Sequence, residues 1–156
     1  MSPRTAIIAI GNEYRRDDGV GREVLRRLTR IIPPGTNLVC VDGEPSRLMD
    51  AWAGSRLAIL VDAAVGEVPH PGRIHRTTVM DAGTTTSTSS HGLGVPEAVE
   101  LARVLHRLPE RLVLLTVEAA ETGFGLGLSP AVEAAVPALI ATIQEELGLD
   151  AAETGP

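Results

Sequence analysis

Two carboxylates and an imidazole, Asp18, Asp62 and His91, stand where this sequence most readily builds a chemical site. Asp18 lies in the stretch IAIGNEYRRDDGVG (8–21), just after an apolar run from Ala6 to Ile10. Beyond it Val20, Val24 and Leu28 recur at helical spacing, so the acid sits between a first strand and a helix N-terminus. Asp62 ends the apolar run RLAILVD (56–62), and His91 closes a polar loop ahead of a helical pattern that opens at Pro96. If the strands are parallel neighbours, all three residues emerge at one carboxyl edge of a sheet, where open α/β folds build their sites. Two carboxylates and one imidazole give three protein ligands with positions left open. That donor set suits a divalent transition metal such as nickel or zinc.

Each residue also has an ordinary structural use. Asp18 can complement a helix macrodipole, although its neighbour Asp17 is the better candidate for that role. Asp62 can cap a following turn, and His91 can be a plain loop histidine. Position alone does not choose between these readings. Elsewhere the motifs exclude more than they assign. Gly11, Gly19 and Gly21 miss the G-x-G-x-x-G spacing, and acids at the helix start would repel a pyrophosphate. No G-x-S-x-G elbow is present, so a serine hydrolase would lack its nucleophile. Cys40, between Val39 and Val41, reads as a buried small hydrophobe. Asp42 either lines the same edge or starts the Asp42-Gly43 turn. His70, His75 and His106 read as surface residues, and Glu118 and Glu121 as solvated loop acids.

The elements that must position these groups alternate. Strands are expected over 5–10, 37–42, 56–62, 73–79 and 111–117, the fourth of them at an edge. Helices are expected over 19–29, 46–53, 96–108 and from the Ser129-Pro130 cap-and-N1 pair to about 147. Strand–helix alternation with short connections implies an α/β three-layer sandwich, a five-stranded sheet with helices on both faces. Neither a repeat nor a composition shift marks a second domain. Residues 1–150 are therefore read as a single domain and 151–156 as a frayed tail.

Composition narrows the class. The chain of 156 residues is 44% apolar but only 2% aromatic, which suits a core of small aliphatics around a parallel sheet. Its formal net charge of −6 argues against a nucleic-acid partner. All 14 cationic residues are arginine, which removes Schiff-base chemistry and a P-loop lysine. One cysteine, no signal-peptide pattern and no membrane-length apolar run lead to the expectation of a soluble, cytoplasmic monomer.

Four ordered blocks carry a family resemblance. GNEYRRDDGVG, VDAAVGEVPHPG, SSHGLGVPEAVELARVL and ETGFGLGLSPAVEAAVP span nearly the whole chain and resemble the nickel–iron hydrogenase maturation endopeptidases. The most selective piece is G-N-x4-D-[DE]-G followed by a helix. The resemblance implies a twisted, mostly parallel sheet between helices. It also implies an enzyme that removes a C-terminal extension from the hydrogenase large-subunit precursor once its nickel–iron centre is loaded. The family's metal-binding acids fall on Asp18 and Asp62 and its histidine on His91, the three residues that position had already singled out. All three are then expected to be catalytic as well as metal-binding, with nickel supplied by the substrate, another divalent metal being the alternative. Gly11, Asn12, Asp42 and Gly43 are the expected substrate contacts. The turn Asp42-Gly43-Glu44-Pro45 departs from the glycine- and threonine-rich turn common in the family. Two rival functions carry over: an adaptor that binds the loaded precursor without cutting it, and a small-molecule hydrolase or nucleotide-binding enzyme on the same architecture.

Overall fold

Runs of Val, Ile, Leu and Ala without a polar alternation form strands buried on both faces, and the three central strands do so here. The computed structural model describes residues 5–79 and 94–154. Strands β1 (Thr5–Ile10), β2 (Thr36–Val41), β3 (Leu57–Ala64), β4 (Ile74–Val79) and β5 (Arg111–Glu118) form one sheet in the order β2-β1-β3-β5-β4. Neighbours are parallel except β4, which pairs antiparallel with β5 at the edge. A 3-10 turn (Arg16–Gly19) leads into α1 (Val20–Leu28); α2 (Pro45–Trp52), α3 (Val95–Val104) and α4 (Pro130–Thr154) complete the fold.

Alternate strand residues face opposite layers. Ile7, Ile59, Val61, Val113 and Leu115 pack with Val24 and Leu28 of α1 and Val136, Leu139 and Ile143 of α4. Ile8, Leu60 and Leu112 pack on the other face with Leu48 and Trp52 of α2 and Ala98 and Val99 of α3. The expected three-layer sandwich is therefore the observed one. The chain leaves β1 for β2 on one side and returns to β3 on the other. The crevice above β1 and β3 is thus the topological switch point, the usual place for a site in such sheets.

Three local expectations change. Cys40 is exposed, not buried, because β2 is an edge strand paired only with β1. Asp62 does not end its strand: β3 continues through Ala63 and Ala64, which pair with Val117 and Glu118 of β5. It lies one residue beyond Val61, the last β3 residue paired to β1. The helix α4 also continues to Thr154, into the segment expected as a tail.

On the β4 side the layers are joined by a buried acid. Glu146 of α4 is 3% exposed and accepts from Arg76 of β4 and from Arg111 of β5, the latter at 2.6 Å. Burial opposes its ionisation, but the two guanidinium groups prevail and hold the carboxyl below its usual range. Removing one partner from a buried ion pair costs more than the pair itself contributes. Glu146→Ala should therefore lower unfolding free energy by about 2–3 kcal/mol in urea titrations.

Candidate functional site

The site begins with a glycine that must be a glycine. Gly11 follows β1 with φ of +135°, and a Cβ there would stand 2.1 Å from the carbonyl oxygen of Asp18. The chain can turn back on itself only in that conformation. It does so with the Gly11 N–H bonded to the Val41 carbonyl at 3.2 Å and the Asn12 N–H donating to Asp18 Oδ2 at 2.8 Å. The Asn12 side chain in turn accepts from the Tyr14 N–H at 2.9 Å. The 3-10 turn thus delivers Asp18 back over the end of β1.

A pocket of about 430 Å³ opens at this edge, lined by Gly11, Asn12, Asp18, Asp42 and Asp62, with Arg15, Val65 and Thr122 on its walls. Five residues singled out in the sequence therefore share one cavity. Asp62 is only 3% exposed and its Oδ1 accepts from the Ala63 N–H at 2.8 Å. Asp42 is exposed and accepts from the Glu44 N–H, so it starts the turn and also lines the edge. Gly43 is buried behind that turn. The backbone there is so close to Gly94 that a Cβ on Gly94 would lie 1.9 Å from the Gly43 carbonyl oxygen. His91 lies outside the described residues. Among the described residues no group of three His, Cys, Asp or Glu side chains is close enough to hold a metal. Asp18 and Asp62 with Asp42 nearby give oxygen donors of the kind a divalent cation takes.

Asp17 does something its position did not suggest. It is fully buried, and its carboxylate accepts four hydrogen bonds from a distant loop. The donors are the N–H groups of Ala120 (2.8 Å), Glu121 (2.9 Å) and Ser129 (2.7 Å) and the Ser129 hydroxyl (2.9 Å). It is therefore a cross-link between the segment before α1 and the loop 119–129, not simply a partner of the helix dipole. Burial alone would push its carboxyl up; the donors from Glu121, Ser129 and Ala120 outweigh that and hold it below the usual range. Three more bonds run in parallel. The Asp17 N–H donates to the Glu121 carbonyl, the Arg16 N–H to the Gly125 carbonyl, and Arg15 Nε to the Thr122 carbonyl. The loop that supplies Thr122 to the pocket is thus tied to the turn that supplies Asp18.

The remaining acids and histidines divide. Glu121 is exposed as expected and pairs with Arg16 at 3.4 Å. Glu118, expected to be solvated, is buried at the end of β5. It accepts from the His70 N–H at 2.8 Å and pairs with His75 Nε2 at 2.7 Å, which together hold its carboxyl below the usual range. His75 keeps 44% of its side chain exposed but is not without a partner. No spacing rule reveals these roles, because four of the six donors to Asp17 and Glu118 are backbone N–H groups, which every residue except proline carries.

A family model described as hydrogenase maturation protease matches residues 23–146. Its span includes Asp62 and position 91 and begins after Asp18. The hydrogenase 2 maturation protease of Escherichia coli (strain K12) is 27% identical over 141 residues, covering 87% of this chain and 86% of the relative. Among solved structures, the hydrogenase maturating endopeptidase HybD from E. coli superposes with a TM-score of 0.78 at 24% identity, covering 97% of this chain and 94% of the other. The NiFe hydrogenase maturation protease HybD from Thermococcus kodakarensis gives 0.73 at 26% identity, covering 92% and 98%.

The Asp17 cross-link has a pH signature. A carboxyl whose folded pKa is depressed stabilises the fold above its unfolded pKa, and that stability is lost as pH falls through the folded value. Asp17→Asn should cost about 2–3 kcal/mol near neutrality. The deficit should begin to shrink below about pH 4, where the carboxyl of the unfolded chain protonates ahead of the folded one. Denaturant titrations of both proteins at pH 7 and pH 3 measure it; an equal gap at both would contradict an ionised Asp17.

Proposed function

The chain belongs to the hydrogenase maturation protease family and is an endopeptidase, and from that premise we propose that it cuts the C-terminal extension from a nickel-loaded hydrogenase large-subunit precursor. The adaptor alternative gives way to the family's hydrolytic role. The observation that carries the substrate reading is the pocket at the switch point, where Asp18, Asp42 and Asp62 face one cavity. Carboxylates lining one opening offer oxygen donors to a cation that arrives with the substrate.

Asp18 and Asp62 are the proposed oxygen ligands. Each acid is oriented by a backbone N–H, from Asn12 and from Ala63 respectively, so it meets the cation without first reorganising. His91 is the proposed third ligand. What supports it is Gly94, three residues later, packed against Gly43 at the same edge. Gly11, Asn12 and Asp42 form the wall along which the precursor chain lies, with Gly43 buried behind it. A divalent cation lowers the pKa of bound water and polarises a neighbouring carbonyl. Hydrolysis then needs a group to take the proton as water attacks the carbonyl carbon, and a proton for the amine that leaves when the C–N bond breaks. A carboxylate at the pocket floor can accept the first and return it to the second. An empty precursor lacks the cation and leaves the acids nothing to grip, so metal loading is checked before cutting.

The test follows the mass of nickel-loaded precursor incubated with each single variant. Asp18→Ala, Asp62→Ala and His91→Ala should each reduce processing by about 100-fold or more while melting like the parent. Full activity in the His91 variant would remove the three-ligand site.

A further inference from the structure

This chain has only three aromatic residues, one each of Trp, Tyr and Phe. Trp52 is fully buried, whereas Tyr14 is 62% exposed and Phe124 is 94% exposed. Large apolar side chains left in water are costly unless something covers them. Both stand on the two segments that Asp17 binds together. The Gly125 N–H donates to the Tyr14 carbonyl at 2.9 Å, and Arg15 and Gly125 form a parallel bridge. Tyr14 and Phe124 therefore sit side by side in backbone register, adjoining Arg15 and Thr122 of the pocket wall. Leu126, 66% exposed, continues the same loop, and Val65, 54% exposed, lines the pocket from the β3 side.

We propose that Tyr14 and Phe124 form an apolar clamp for the precursor polypeptide, seating an apolar side chain beside the bond to be cut. This rests on the endopeptidase reading and names how its substrate is held outside the acidic pocket. A chain whose scissile bond enters the pocket must run out across its rim, and the exposed aromatics adjoin Arg15 and Thr122 of that rim. Aromatic side chains bury large areas at small entropic cost, which is why they dominate binding at interfaces. The acids read the metal, and the clamp holds the peptide. Neither group is needed to bury the core, so substitution leaves the fold intact.

The experiment measures binding and turnover of the same organism's nickel-loaded large-subunit precursor by wild type, the Tyr14→Ser/Phe124→Ser double variant and Phe124→Leu. The double variant should bind about tenfold more weakly and raise KM about tenfold, with kcat little changed and an unaltered melting temperature. Phe124→Leu should retain most of the affinity. Wild-type binding with a double variant within about twofold of it would overturn the clamp and leave the endopeptidase reading standing. A wild type that neither binds nor cuts would overturn both. Light scattering that shows the double variant changing only self-association would assign the patch to a second copy of this chain and overturn the clamp as well.

Discussion

Asp17 accepts four hydrogen bonds from a loop more than a hundred residues away, and the geometry of the site depends on that cross-link. Three backbone N–H groups and a hydroxyl supply the positive field that holds its carboxyl below the usual range despite burial. In a buried setting such charge-assisted bonds are strong, and an unmade one is expensive. The two segments therefore hold one arrangement. One presents Asp18 and Tyr14; the other presents Thr122 and Phe124. Adjacent acids in one 3-10 turn thus divide the work, Asp17 turned inward as a tie and Asp18 turned to the pocket.

The rest of the fold serves the same edge. Reversal of strand order between β2 and β3 opens a crevice above β1 and β3, and Gly11 allows the chain to bend back into it. The extension of β3 past its last pairing with β1 carries Asp62 to the crevice, buried yet lining it. Acids concentrated at such a place are poorly suited to phosphate and well suited to a cation. That distinction separates this junction from a dinucleotide-binding turn of similar outline.

Much of this was legible in the sequence. Continuous apolar runs located the strands, the helical spacing of Val20, Val24 and Leu28 located α1, and strand–helix alternation implied the layers. Asp18, Asp42 and Asp62, which line one pocket, stand out in the sequence as acids beside apolar runs. What stayed hidden depended on partners rather than on residue type. Asp17 could not be told from a helix-dipole acid, since three of its four donors are backbone groups of a distant loop. Glu118 looked solvated because nothing local announces that β4 and its preceding turn fold over it. Cys40 looked buried because its neighbours are apolar, and only strand order shows that β2 is an edge.

The central claim is that metal in the precursor, not the peptide sequence alone, licenses the cut. Matched nickel-loaded and nickel-free preparations of one large-subunit precursor, each incubated with this protein and weighed by mass spectrometry over time, test it most directly. The account predicts loss of the C-terminal extension from the loaded precursor and an intact mass for the empty one. Equal cleavage of both, with the empty precursor shown to be folded, would contradict it.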